Sequence, residues 1–315
     1  MNTNKIYFFT IITIFISCDS METIVEVDIP PHDPVLVLNG NLNTDTSIYI
    51  MLSNSVGAFS NDIPTCVTDA KVLLYENNNF IDSLIIDLEN SHYISYWTNM
   101  GEDSILMYYY KSNYIPSSGK TYKIVATHSD FNKIEASTYI PNNLEIYNFE
   151  TDTNSNEIVQ FNFSFIDDIS TRNYYGLELY ASCSKTWGDE EYQFSGNPTI
   201  HSNDPSFPGG IPFSGYSFVG ESVLFTDALF NGQEKDISLD VFTEEFGLSD
   251  CDTIILKFSN YSNETYSYYS SLGSHRTKGE LGVFGGEVVP VYTNVRNGLG
   301  VLLSVNQQNK FVGSK

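Results

Sequence analysis

Val159-Gln160-Phe161-Asn162-Phe163-Ser164-Phe165 is the stretch on which the fold turns. Apolar and polar residues alternate with a period of two, which puts Val159 and three phenylalanines on one side and Gln160, Asn162 and Ser164 on the other. A helix would spread the phenylalanines around its circumference, so the pattern reads as a half-buried β-strand. The same period recurs further along. Leu177, Leu179, Ala181 and Cys183 alternate with Glu178, Tyr180 and Ser182, and Ile237, Leu239 and Val241 alternate with Asp236, Ser238 and Asp240. More strands are expected at Val35–Leu38, Ser47–Leu52, Lys71–Tyr75, Phe80–Ile86, Tyr122–Ala126, Ile134–Tyr139 and Thr253–Phe258, separated by turn-prone Asn, Asp, Ser and Gly.

Short strands without intervening amphipathic helices pack as antiparallel sandwiches rather than as a parallel βαβ sheet. The expected fold is therefore all-β. Residues 34–141 have the size of an immunoglobulin-like β-sandwich. After a boundary at Pro141-Asn142-Asn143, residues 142–315 form a second, larger antiparallel β domain with one short helix. That helix is expected near Glu264–Leu272, capped by Asn263, with Glu264 at the positive end of its dipole, Tyr266, Tyr269 and Leu272 on one face and Gly273 ending it.

The amino terminus fixes an address. Lys5 precedes an uncharged apolar run, Ile6 to Ile16, that closes on Ser17 and Cys18. The run is shorter than the roughly 20 residues a membrane-spanning helix needs, and it reads as a lipoprotein signal peptide, residues 1–17. Cys18 is the expected lipidation site, and two acyl chains would hold the protein to a membrane by about 20 kcal/mol. Residues 18–33 are then a lipidated tether or, because Val25, Val27 and Ile29 alternate with Glu26 and Asp28, a first strand.

Composition bounds what such a chain can do. With 41% hydrophobic residues, 22 Tyr and 21 Phe it has ample material for a core. Its 39 acidic against 15 basic residues give a formal charge of −24, which repels nucleic acid and anionic lipid alike, leaving the acyl chains as the membrane attachment. Once Cys18 is acylated, Cys66, Cys183 and Cys251 remain. An oxidising compartment permits a Cys183–Cys251 bridge, and three reduced thiols are the other arrangement.

Sites of chemistry are sparse. His32, His92, His128, His201 and His275 are scattered, without the helical i, i+4 spacing of a metal site, and no metal or cofactor is expected. Gly298-Leu299-Gly300 lacks the third glycine of a phosphate loop, and Ser217 misses nucleophile-elbow spacing. Asp167-Asp168 and Glu244-Glu245 read as solvated turns rather than as glycosidase carboxylates, which must stand at a defined separation. The stretch 187–220 is rich in Gly, Pro, Ser and aromatics with little alternation and reads as a long excursion from the second sheet. Its Trp187, Tyr192, Phe207 and Phe213 are the candidate partner- or ligand-binding residues, because aromatics outside strands anchor partners or stack on sugars. The plainer alternative is a loop folded over its own sheet.

The last third carries a resemblance. Glu264-Thr265-Tyr266-Ser267-Tyr268-Tyr269, then Val289-Pro290-Val291-Tyr292-Thr293-Asn294-Val295 leading into Asn297-Gly298-Leu299-Gly300-Val301, resembles the family known as domain of unknown function 4249, lipoproteins of Bacteroidota. Val37-Leu38-Asn39-Gly40, Asp69-Ala70-Lys71-Val72 and Gly119-Lys120-Thr121-Tyr122 fit the same pattern, so the likeness covers nearly all of the chain after Cys18. Such proteins are often found beside TonB-dependent receptors. The resemblance thus implies a non-enzymatic outer-membrane lipoprotein, on the surface or periplasmic face, that serves as accessory or substrate-binding partner of a TonB-dependent transporter. A surface glycan-binding or glycan-cleaving protein and an adhesion or structural module are the alternatives. Gly298 and Gly300 are expected to permit a turn or a close strand approach.

Overall fold

The computed structural model describes residues 32–57, 60, 62–98, 101–155, 158–187, 190–209, 215–242, 251–279 and 288–311. The signal segment, Cys18, nearly all of the tether, Phe213 and Glu244-Glu245 lie outside the described residues. The elements in chain order are β1 (Leu36–Leu42), β2 (Ile48–Asn54), β3 (Lys71–Glu76), β4 (Asn79–Ile86), β5 (His92–Thr98), β6 (Gly101–Met107), β7 (Tyr109–Ser112), β8 (Lys120–Thr127) and β9 (Ile134–Ile140). Next come β10 (Tyr147–Ser155), β11 (Ile158–Ile166), β12 (Tyr174–Trp187), β13 (Glu190–Gly196), β14 (Ile200–Ser202), β15 (Phe218–Gly220), β16 (Ser222–Thr226) and β17 (Glu234–Phe242). The chain ends with β18 (Cys251–Tyr261), the helix α1 (Asn263–Gly279), β19 (Val295–Arg296) and β20 (Leu299–Phe311).

The alternation in β11 does what its period requires. Phe161, Phe163 and Phe165 are buried, and Phe161 and Phe163 stand opposite Leu239 and Ile237 of β17. Leu177, Leu179 and Ala181 of β12 and Phe258 of β18 meet them from the facing sheet, and the rings of Phe165, Tyr175 and Phe258 lie within 5.6 Å of one another. Burying each such side chain contributes roughly 1.5–3 kcal/mol. A second cluster fills the first half, where Leu38, Ile50, Leu74, Tyr122 and Ile124 pack with Leu302 from β20. The fold is all-β and sandwich-like, as the patterning predicts.

The largest sheet runs β13-β12-β18-β20-β1-β2-β7-β4-β3-β8-β9-β19, with β16 also paired to β12. A second runs β10-β11-β17-β14-β15, and β5 and β6 pair only with each other. The pairs are antiparallel except β1 with β20. Antiparallel sheets throughout were the expectation, and the difference arises because the last described strand returns beside the first described one.

β20 serves both halves. Leu299 to Ser304 run parallel to β1, and Val305 to Phe311 run antiparallel to β18. The expected boundary at Pro141 falls between the two hydrophobic clusters, yet β20 pairs with a strand of each half, giving Leu302 to the cluster of the first half alone, and Pro34–Lys315 is one compact unit. Amide side chains hold the connecting segment down. Asn306 Nδ2 donates to the carbonyl of Pro141 (3.1 Å), Asn260 Nδ2 to that of Asn142 (3.3 Å) and Gln308 Nε2 to Asn143 Oδ1 (2.8 Å).

The helix differs from its expected bounds. Ser262 rather than Asn263 is the cap, its Oγ accepting from Thr265 N–H at 3.1 Å. Asn263 turns away, and its Oδ1 accepts from the hydroxyl of Tyr174 at 2.9 Å. Gly273 does not end the helix, which continues to Gly279, with Ser274 and Thr277 hydroxyls bonded to carbonyls one turn back. Glycine inside a helix costs only about 1 kcal/mol, too little to stop it. Thr265 docks the first turn onto β20: its hydroxyl donates to the carbonyl of Ser304 (2.8 Å) and accepts from Ser304 N–H (2.9 Å). Both residues are buried, and Thr138 of β9 bonds Ser304 Oγ at 2.8 Å.

Cys183 and Cys251 face each other across β12 and β18 and are disulfide-bonded. Cys66 is a free, half-buried thiol, pushed up from its ordinary value by burial.

Candidate functional site

The excursion at 187–220 is more regular than its composition signals, since it contains β13, β14 and β15. Phe207 is a core residue, 5% exposed, with its ring 4.8 Å from that of Phe225. It is drawn in by a turn in which Asp204 accepts from Ser206 N–H and from the Ser206 hydroxyl, and an ion pair from Lys235 to Asp204 (2.7 Å) pins that turn to β17. Phe207 therefore cannot contribute to a contact surface. Tyr192 is 54% exposed on β13, and Trp187 is the last residue of β12, its side chain outside those described. Of the candidates whose side chains are described, Phe207 lies in the core and Tyr192 on an exposed face, so the two are not brought together.

Several acidic residues of the second half are engaged within the protein. Asp167, read above as a solvated turn residue, is buried; it accepts from the Tyr175 hydroxyl, from Asn173 Nδ2 (3.1 Å) and from Gly232 N–H (2.7 Å). Asp227 is also buried and accepts from Asn173 N–H (2.7 Å), and burial pushes its carboxyl above the usual range. A polar depression over β11 and β17 is likewise occupied by its own contacts, Asp236 with Ser164 (2.6 Å) and Asp240 with Gln160 (2.9 Å). Among the described residues no group of three His, Cys, Asp or Glu converges as a metal site.

A different face carries groups without internal partners. Registers across β1, β2 and β7 place Asn39, Met51 and Tyr109 in one outward row and pair Tyr49 with Lys111 in the next, with Asn41 one residue beyond Gly40, the last β1 residue paired to β2. These are the positions between the core residues Leu38, Leu42, Ile48, Ile50, Leu52 and Tyr110, so the pleat sends them to the opposite side. Beside the rows, the segment from Asp87 to His92 rises as a wall and leaves a groove of about 760 Å³, within the range of ligand sites. The rings of Tyr49 and Tyr109 meet edge to face at 6.2 Å, and His92 meets Tyr109 at 4.7 Å.

Electrostatically the groove is neutral. The Lys111 ammonium is bonded to Asp87 at 2.8 Å, and Asn90 Nδ2 donates to the same carboxylate. Lys111 holds the Asp87 carboxyl down to about 2, and Asp87 in turn raises Lys111. The side-chain amides of Asn39 and Asn41 and the hydroxyls of Tyr49 and Tyr109 make no hydrogen bond with the described residues, and so face solvent or a ligand. Only the outward phase of the strand alternation signals these residues in the sequence, and that phase is shared by every solvated strand.

Next to the wall, β5 and β6 leave both sheets as a free hairpin. Tyr93 is 71% exposed there, with Ile94 and Leu106 also exposed, and the hairpin edges pair with no other described strand.

An all-β protein with a neutral aromatic and amide groove on its first sheet is thus the class that these features define. The chain belongs to the family described as Domain of unknown function (DUF4249), whose model matches residues 22–310. No curated protein matches it. Among solved structures, the Fcho1 Mu homology domain of Danio rerio with bound Eps15 peptide is similar at 9% identity, covering 88% of this chain and 92% of that one, with a TM-score of 0.18, a level at which two chains need not share a fold.

Proposed function

We propose that this protein is a non-enzymatic lipoprotein of the bacterial outer membrane, anchored through Cys18, that binds a ligand in the groove over β1, β2 and β7 and works as the accessory or substrate-binding partner of a TonB-dependent transporter. The observation that carries the reading is the groove itself, where unbonded amides and tyrosines are gathered on a rigid sheet and the charges are already paired off. Binding sites are concave, largely preformed and furnished with a few convergent polar groups. Catalysis needs more, an acid or base free to move a proton, and the buried carboxylates Asp167 and Asp227 are instead taken up by backbone and side-chain donors.

Two further observations support the envelope and the partner. The Cys183–Cys251 disulfide suits an oxidising compartment outside the cytoplasm. The β5–β6 hairpin offers exposed apolar side chains and backbone edges that no other described strand pairs with, features through which proteins add strands to one another. A second reading, an adhesion module, draws on the same hairpin.

A mild-detergent pull-down of the tagged lipoprotein from its own membranes tests the proposal. Recovery of a TonB-dependent receptor in stoichiometric amount, lost when the tip of the β5–β6 hairpin is replaced by a short turn, supports it. Recovery of the lipoprotein alone, from membranes shown to contain the receptor, overturns it.

A further inference from the structure

The chemistry of the groove narrows what it can hold. The whole chain carries a net charge of −24, so an anionic ligand is repelled unless a free cation receives it. The cation in the groove, Lys111, is bonded to Asp87, whose carboxylate is also engaged by Asn90 and by Glu89 N–H. A cationic ligand lacks a free anion for the same reason. What remains are neutral groups: carboxamides at Asn39 and Asn41, each able both to donate and to accept, and tyrosine rings at Tyr49 and Tyr109.

The spacing adds to this. Asn39 and Asn41 sit on the same face of one strand, about 6.6–6.8 Å apart along it at ~3.3–3.4 Å per residue. Gly40 pairs with Ile50, so Asn41 and Tyr49 each lie one residue beyond the last paired position of β1 and β2, and Tyr109 follows Met51 in the row of Asn39. Two amides and two phenol rings thus share one outward face, Tyr49 on the strand next to the asparagines and Tyr109 one strand further on. A ligand that fits has a flat apolar face for a ring, hydroxyls around its rim for amides, and a repeat that presents the same pair again a few ångströms on. A pyranose has both surfaces, its C–H face and its equatorial hydroxyls, and an oligosaccharide repeats them.

We infer that the groove over β1, β2 and β7 binds a neutral oligosaccharide, with Tyr49 and Tyr109 stacking on sugar faces and Asn39 and Asn41 bonding ring hydroxyls. The inference rests on the ligand-binding reading above and supplies its substrate class. Tyr49 is 44% exposed, so a sugar can reach it without rearrangement of the sheet.

The test uses the full lipoprotein in mild detergent and titrates, by calorimetry, a panel of neutral hexasaccharides (maltohexaose, cellohexaose, xylohexaose and mannohexaose) beside the charged hexamers of galacturonic acid and glucosamine. At least one neutral member is expected to bind, with an affinity that does not change with salt, since no ion pair is formed. Tyr49→Ala and Asn41→Ala should each weaken it about tenfold, while Tyr49→Phe, which keeps the ring, should retain most of it. Unchanged thermal melting shows that the variants fold. A blank neutral panel, binding of the charged hexamers only, or neutral binding that survives Tyr49→Ala and Asn41→Ala undiminished would overturn the inference. If the receptor is recovered in the pull-down while the neutral panel stays blank, the transporter reading stands and the sugar is wrong; binding of a neutral hexamer without the receptor has the opposite meaning.

Discussion

Asn294 and Leu302 are joined by a reciprocal pair of hydrogen bonds, Leu302 N–H to Asn294 Oδ1 at 2.9 Å and Asn294 Nδ2 to the Leu302 carbonyl at 2.8 Å. This is the exchange that two paired strand residues make, performed by a side chain. The same Nδ2 donates to the Ser137 carbonyl of β9 at 3.0 Å, so one carboxamide spans the seam between β9 and β20 where no backbone ladder fits. Asn294→Ala removes all three bonds. At about 1 kcal/mol each, discounted because the site is only partly buried, urea unfolding should show a loss of about 2 kcal/mol. Asn294→Asp keeps the acceptor but sets a carboxylate against two carbonyls, so it should lose at least as much. A midpoint unchanged in either variant would mean that the seam is held without Asn294.

The parallel contact of β1 and β20 predicts a contrast between two glycines. Gly300 has φ +96°, and a Cβ there would lie 2.1 Å from the Leu38 carbonyl oxygen on β1. Gly101 has φ +125° at the start of β6 in the free hairpin, with nothing within 4 Å of its Cβ position. Gly101→Ala meets only backbone strain, about 1–3 kcal/mol. Gly300→Ala meets the same strain and a backbone atom that cannot move without parting the two strands, so it should fail to yield soluble folded protein or should melt far below Gly101→Ala. Equal melting temperatures would show that β20 does not need its close approach to β1.

Much of this fold was legible from period alone. Phe161, Leu179 and Leu239 announce buried faces by alternation, and each is fully buried. The strand order was not legible, because β20 joins β1 across almost the entire chain and nothing local in Leu299–Phe311 names its partners. Residues Val301 to Asn306 are buried in succession, which hides the period there: Leu302 faces the first core while Ser304 is enclosed by Thr138 and Thr265. Phe207 shows the converse, an aromatic outside any strand that the Asp204 turn carries into the core. The groove residues went unsingled because an outward asparagine or tyrosine on a strand looks the same whether it meets water or a ligand.

The disulfide fixes a prediction that thiol chemistry can read directly. Cys183 and Cys251 are separated by 68 residues, and tying a loop of that length restricts the unfolded chain by about 4 kcal/mol in the entropic estimate. Replacing both with alanine should lower the unfolding free energy by roughly 2–4 kcal/mol, as is typical of native bridges. Denatured without reductant, the acylated protein should expose one titratable thiol, Cys66, and after reduction it should expose the two bridge thiols as well. Finding all three thiols before reduction would remove the bridge and, with it, one support for an oxidising compartment.

Acid stability should depend on Glu76. Its carboxylate accepts from Lys120 Nζ (2.8 Å) and from the hydroxyls of Tyr114 (2.6 Å) and Tyr122 (2.8 Å). These bonds, the one from Lys120 foremost, hold the carboxyl down to about 2 from an ordinary 4.5. The folded protein therefore binds this proton less tightly than the unfolded chain does. The stabilisation is fully present above about pH 4.5 and drains away as the pH falls toward 2. Asp87, held down to about 2 by Lys111, adds a slope in a similar window. Glu76→Gln retains an acceptor for the tyrosines but gives up the charge opposite Lys120, so it should be less stable at neutral pH and should lose less on acidification, the two curves converging near pH 2. Glu76→Gln with Asp87→Asn should flatten the acid limb further. Unfolding curves recorded from pH 7 down to 2 decide the matter: parallel wild-type and Glu76→Gln profiles would mean that Glu76 titrates alike in folded and unfolded chains and that its three bonds carry no pH-dependent stability.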